Sequence, residues 1–221
     1  MLGTSPRTTV ALSGAVGAGK SSTAKAIVDR LRSAGRPAEF IRFQDFTRLR
    51  GRRSHAAVSK PRRAEMEDLD DPDIRWGGYQ RRCLTVRVAV GYALRTLLFR
   101  TRLNRWPKDT VLVFDRYFYD NLVHFDLQGA GSSLRLLMKV LPVPTVAALL
   151  LISERTVLER RPRYSAEYAH QVAEGYEELP KRIPGLLVIR TDDFASVTDV
   201  AGRIAADVLT RVDRENERVR S

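Results

Sequence analysis

Apolar positions along this chain alternate between two patterns. Five short runs rich in β-branched residues or leucine, TTVAL (8–12), AEFIRF (38–43), TVLVF (110–114), TVAALLLI (145–152) and LLVIR (186–190), read as buried strands. Between them apolar residues recur at helical spacing. Ala24, Ile27, Val28 and Leu31 share one face before Gly35 and Pro37 end the segment, and Cys83, Val86, Val90, Leu94 and Leu97 mark a long second face. Val197, Val200, Ala201, Ile204, Val208 and Val212 mark a third, which Ser196 and Asp199 can open as a capping box. Strands alternating with helices predict parallel βαβ crossovers and a three-layer α/β domain.

The pattern lapses from Phe46 to Asp73, where a basic block, RLRGRRSHAAVSKPRR, turns into the acidic EMEDLDDPD. With little periodic apolar content to offset its ordering entropy, this segment is expected to be a loosely packed insertion. The rest of the 221 residues suits one domain, 1–221, with a single core.

Composition changes the picture at two points. Hydrophobic residues at 43% and charged residues at 29% are ordinary for a folded protein, but 38 Lys+Arg against 26 Asp+Glu leave a net charge of +12, which favours anionic partners. Six of the 38 are lysine and 32 arginine, the side chain that grips phosphate bidentately. Most of these arginines read equally well as solvated surface, so weight falls only on those attached to a motif. The single cysteine, Cys83, cannot form an intramolecular disulfide, and a reducing, cytoplasmic setting is the expectation. The N-terminal run TTVALSGAVGA lacks the basic and long apolar regions of a signal peptide, and no segment approaches the roughly 20 apolar residues of a membrane span. His55, His124 and His170 are scattered without metal-ligand spacing.

One stretch breaks the rule that glycine is kept out of strand and helix interiors: VALSGAVGAGKSSTAKAIVDRL, Val10 to Leu31. Gly14, Ala15, Val16, Gly17, Ala18, Gly19, Lys20 and Ser21 match G-x-x-x-x-G-K-[ST], between a predicted strand and the start of a predicted helix, and Ser22 follows. Bare backbone there lets successive N–H groups curl around a nucleotide phosphate, and the helix N-terminus adds partial positive charge. Lys20 is expected to reach the β- and γ-phosphates of ATP, and the Ser21 hydroxyl to sit on Mg²⁺. Further on, VLVFDRYFYDNL puts Asp115 at the carboxyl end of a predicted central strand, the edge where open α/β sheets collect ligands. A carboxylate there can hold Mg²⁺ directly or through water, and Arg116 can bind a phosphate. Tyr117, Tyr119, Asp120 and Asn121 are weaker candidates, since an aromatic residue in this place more often packs than stacks on substrate.

GAVGAGKSS, FDRY and LLLISERTVLERRPRYSAEYAHQVAEGYEEL together resemble the thymidylate kinase and deoxynucleoside kinase branch of P-loop kinases. The resemblance implies a three-layer P-loop NTPase fold with a five-stranded parallel sheet in the order 2-3-1-4-5, an acceptor-binding and insertion segment at about 45–100 and a short lid at about 155–170. It also implies that Arg160, with Arg161 and Arg163, closes over the transferred phosphoryl group. Positive charge on its equatorial oxygens is what that reaction asks for; the other reading of these arginines is an exposed helix end.

Departures from the branch fall on the acceptor side. The acidic or arginine residue usual in the thymidylate kinase P-loop is missing around Val16, and YQRRCLTVRVAVGYALRT has no clear counterpart of the arginine-rich run that contacts the thymidylate base. Asp45, in FIRFQDF, stands where the deoxynucleoside kinase relatives carry a carboxylate that takes the proton of the acceptor hydroxyl. An anionic phosphate acceptor needs no such base and a hydroxyl acceptor benefits from one; the other reading of Asp45 is a helix cap. Arg48, Arg50, Arg52, Arg53, Lys60, Arg62 and Arg63 suit either a phosphorylated acceptor or a solvated loop.

The expected function is therefore ATP- and Mg²⁺-dependent phosphoryl transfer to a small molecule, a nucleoside monophosphate or nucleoside first and a sugar or other alcohol second. Lys20, Asp45, Asp115, Arg116, Arg160 and Arg163 are its catalytic candidates, and Ser21 and Asp115 its metal ligands. A nucleic-acid-associated P-loop ATPase is the reading of another class; the paired metal carboxylate and lid arginines favour the kinase. No membrane partner is expected, and a homodimer is left open.

Overall fold

The computed structural model describes residues 7–47, 78–127 and 142–220. The five expected strands form as Thr9–Gly14 (β1), Ala38–Arg42 (β2), Val111–Asp115 (β3), Val146–Leu151 (β4) and Leu187–Arg190 (β5), all parallel, in the order β2-β3-β1-β4-β5. Parallel strands covered on both faces need side chains that are apolar throughout. The middle of the sheet obeys: Val10, Leu12, Leu112, Val113, Phe114, Val146, Leu149 and Leu150 are fully buried.

Eight α-helices stand among the described residues: Lys20–Ser33 (α1), Phe43–Phe46 (α2), Gly78–Leu103 (α3), Phe118–Leu127 (α4), Glu154–Arg160 (α5), Ala166–Glu177 (α6), Leu179–Arg182 (α7) and Val197–Arg220 (α8). Right-handed crossovers put α1 on one face of the sheet and the β3–β4 and β4–β5 connections on the other, because the chain moves in opposite directions across the sheet. Accordingly α8 packs on α1, and α6 packs on α4. The expected faces of α1 and α8 are the buried ones, through Ala24, Ile27, Val28 and Leu31 and through Val200, Ala201, Ile204 and Val208; Val197 alone departs, at 40% exposure. Ser196 caps α8, its Oγ accepting from Asp199 N at 3.2 Å, but Asp199 Oδ2 accepts from Ser196 Oγ at 2.8 Å, a bond between the two side chains in place of the backbone bond of the expected capping box.

The long helix α3 corrects the expectation. Val90, Leu94 and Leu97, assigned to the core from their spacing, are 55%, 44% and 61% exposed, while Thr96 and Phe99 are buried. The reason is aromatic. Phe99 lies with ring centroids 5.1 to 6.1 Å from Phe43, Phe46, Phe114, Tyr117 and Phe118, and burying one large ring among five outweighs burying three aliphatic side chains on another face. Most of the expected insertion, with the basic residues from Arg48 to Arg63, lies outside the described residues, as does the side chain of Cys83.

Parallel strands end together. Register brings the ends of β2 and β3 side by side, with Arg42 opposite Asp115, and pairs Leu12 with Asp115 and Gly14 with Leu150. The carboxyl edge of the sheet thus gathers the loops after β1, β2, β3 and β4.

Candidate active site

The loop after β1 is shaped by what its glycines permit. Gly14 has φ of +146°, and a Cβ there would lie 2.2 Å from the Leu150 carbonyl oxygen on β4, so only glycine fits. Gly19, in the left-handed region at φ of +79°, turns the chain into α1 and leaves the first N–H groups of that helix facing the loop without a side-chain cap. An anion is the natural partner of such groups.

Lys20 opens α1 and is 6% exposed, with Nζ donating to the carbonyl oxygens of Gly14 and Ala15, each at 2.7 Å. A buried ammonium needs such acceptors, and the two carbonyls hold it against the loop that it would serve. One residue on, Ser21 Oγ donates to Asp115 Oδ2 at 2.6 Å, joining α1 to the end of β3. The other carboxylate oxygen, Asp115 Oδ1, is buried and has no hydrogen-bond partner among the described residues. A serine hydroxyl beside a carboxylate with a spare buried oxygen is a hard-oxygen donor set suited to Mg²⁺.

Arg116 follows with φ of +71°, the one positive value among the described non-glycine residues. That conformation costs about 1–2 kcal/mol for a side-chain-bearing residue, so the surrounding bonds must hold it. From the β4 side, Arg160 at the end of α5 donates from Nη1 to Gly17 O at 2.6 Å and so reaches the tip of the loop. Arg163 has its guanidinium over the Tyr164 ring at 5.4 Å, and Arg161 ends α5, its N–H bonded to Val157 O. Of Arg160, Arg161 and Arg163, Arg160 is thus brought to the loop by a direct hydrogen bond.

Asp45 lies three residues beyond Arg42, at the same sheet edge. It is the third residue of α2 rather than its cap, and its exposed carboxylate makes no hydrogen bond or ion pair among the described residues. Its backbone carbonyl accepts from Arg102 Nη1 at 3.3 Å, and the same nitrogen donates to Phe46 O, so the end of α3 holds the loop after β2.

Two aspartates, the weak candidate Asp120 and the unexpected Asp192, owe their place to the fold. Asp120, buried at 2% exposure, accepts from the backbone of Gly14 and Tyr117 and from the Tyr176 hydroxyl. Asp192, just after β5, accepts from Ser153 N at 2.6 Å and Thr156 Oγ1 at 3.0 Å, tying the start of α5 to the β5 loop. Asp192 lies in a polar stretch and Asp120 in an aromatic one, and only the fold brings their partners to them. Tyr117 and Tyr119 are buried; burial, with Tyr119 nearby, pushes the Tyr117 hydroxyl well above its ordinary range, and burial pushes Tyr119 up to about 12. Both stay protonated near neutrality, and Tyr117 Oη donates to Pro142 O at 2.6 Å.

Among the described residues no helix is long and apolar enough to cross a membrane. No family model matches the chain. No curated protein matches it in sequence. Among solved structures, the thymidylate kinase of Candida albicans is similar in fold, with a TM-score of 0.60 over 95% of this chain and 93% of that one, at 13% identity. Identity that low speaks for architecture alone, and with the sheet order and the loop after β1 it establishes the P-loop NTPase fold for this chain.

Proposed function

We propose that this protein is a kinase that moves the γ-phosphoryl group of Mg²⁺-bound ATP to a small acceptor, a nucleoside monophosphate or a nucleoside. The observation that carries the reading is the Ser21–Asp115 pair with its spare carboxylate oxygen, next to a phosphate-shaped loop. Gly14 to Ser22 would hold the triphosphate through backbone N–H groups, with Lys20 exchanging its loop carbonyls for phosphate oxygens. Ser21 and Asp115 would hold Mg²⁺, which when bound supplies charge neutralisation at the phosphates. Arg160 already reaches the loop and is the residue to bring positive charge to the transferred group; Arg116 and Arg163 are candidates for acceptor and lid contacts.

A hydroxyl acceptor, whether a nucleoside or the sugar or other alcohol that is the second reading, has an observation of its own. The Asp45 carboxylate is exposed and unpartnered among the described residues, at the sheet edge that ends in Asp115, which suits a base for an acceptor hydroxyl. The test is an ATP-consumption screen with Mg²⁺ against nucleosides, nucleoside monophosphates, sugars and oligonucleotides, the product confirmed by mass. One small acceptor that raises turnover far above the water background supports the kinase. With a hydroxyl acceptor, Asp45→Asn is expected to lower kcat by about 10²- to 10⁴-fold; with a phosphate acceptor it is expected to change little. Hydrolysis raised only by polynucleotide would overturn the proposal.

A further inference from the structure

The carboxylate of Asp120 lies behind the phosphate loop and takes part in none of the roles assigned above. It is 2% exposed and accepts three hydrogen bonds: from Gly14 N at 3.1 Å and Tyr176 Oη at 2.9 Å on Oδ1, and from Tyr117 N at 3.0 Å on Oδ2. The donors come from three parts of the chain, the start of the phosphate loop, the loop after β3 and helix α6.

Each partner leads to the candidate site. Gly14 is held on both sides, its N–H by Asp120 and its carbonyl by Lys20 Nζ at 2.7 Å. Tyr117 directly follows Arg116, whose φ of +71° needs an external restraint, and the Tyr117 N–H is the first backbone donor after it. Tyr176 is 1% exposed on α6, the helix that follows the arginine-bearing segment. Close packing holds α6 there, since a Cβ on Gly175 would lie 2.7 Å from Val123 Cγ1 on α4.

We propose that Asp120 is a positioning residue for phosphoryl transfer: it sets the Gly14 peptide and the Arg116 backbone in one frame and couples both to the helix behind the lid. The inference rests on the kinase reading above. Carboxylate chemistry is specific to the task. Three donors converge on two oxygens, and only a group with acceptors on both satisfies them; an asparagine must turn its NH₂ toward an N–H or O–H on one side. Burying an unpaired anion is otherwise costly, so a purely space-filling role would favour a neutral residue.

The test uses the full-length protein with Mg²⁺-ATP as the probe, reading affinity by equilibrium titration and basal hydrolysis, with water as acceptor, well below the melting midpoint of each variant. Asp120→Asn is expected to lower kcat for hydrolysis at least tenfold. Tyr176→Phe keeps the ring and removes one donor, and is expected to lower kcat about threefold, with the double variant no worse than Asp120→Asn alone because the hydroxyl acts through the carboxylate. A folded Asp120→Asn whose kcat stays within twofold of wild type, with only its melting point lowered, marks a structural role and overturns the proposal while leaving the kinase reading intact. If Asp120→Asn does not fold, Tyr176→Phe decides by the same criterion, an unchanged kcat overturning the proposal. Wild-type protein that binds no Mg²⁺-ATP overturns the kinase reading and this inference with it.

Discussion

At the loop after β1, Lys20 and Arg160 are bonded to main-chain carbonyls of residues 14 to 17, and the nearest carboxylates, Asp115 and Asp120, hold Ser21 and Gly14. Across β3, the neighbourhood of Asp45 is held instead by rings: Phe43 and Phe46 of α2, Phe99 of α3, and Phe114, Tyr117 and Phe118 around the end of β3. The first region is polar and made largely of backbone, the second apolar and made of side chains. Backbone donors recognise phosphate by shape and charge whatever the rest of the molecule, which suits a donor nucleotide. A ring-packed wall takes its form from distant residues, so under the proposed kinase reading it could be recut for different acceptors without touching the loop after β1.

The comparison can be broken from either side. The largest effect is expected at Phe99→Ala, which removes the ring that α3 contributes and should cost about 3–5 kcal/mol of stability. Chemical denaturation measures it, and a loss below about 1 kcal/mol would mean that the rings do not hold the region around Asp45. On the polar side, Lys20→Ala should keep the fold, by circular dichroism, and lower phosphoryl transfer about 10²- to 10³-fold, a barrier increase of about 3–4 kcal/mol. Near-normal turnover would remove the phosphate loop from the chemistry.

A third measurement probes the boundary between the regions. Tyr119 has a folded-state pKa raised to about 12 from an ordinary 10.0, so its stabilising contribution is whole below 10 and lost as pH rises toward 12. Two units correspond to about 2–3 kcal/mol, and Tyr117 shifts in the same direction. Denaturation midpoints should fall across this interval in the wild type and fall less in Tyr119→Phe. The smallest effect is expected at Leu97→Gln, on the exposed side of α3, where a change within about 0.5 kcal/mol would confirm that the helix is anchored by Phe99 and not by its aliphatic stripe.

Legibility in sequence follows the same division. The five strands, the glycine-rich loop after the first and the aspartate that ends the third were readable, because each depends on residues close together in the chain: an apolar run, a spacing of glycines, a carboxylate after an apolar run; the order of the strands came only from the family resemblance. The orientation of α3 was not. Val90, Leu94 and Leu97 have good helical spacing, yet the face that is buried depends on Phe43, Phe46 and Phe114, which lie far from them in sequence. Asp120 is another case, an aspartate in an aromatic stretch whose three donors come from residues 14, 117 and 176.

Periodicity and glycine φ values are properties of neighbouring residues, so the alternation of strand and helix and the local shape of the glycine-rich loop after β1 were settled by the amino-acid sequence. It took the folded chain to bring Arg160 to that loop, to choose which side of α3 is inside, and to join the loop, the turn at Arg116 and helix α6 through one buried carboxylate. Those are contacts between segments as much as 143 residues apart, as from Gly17 to Arg160, and they form when the parallel strands bring their carboxyl ends to one edge.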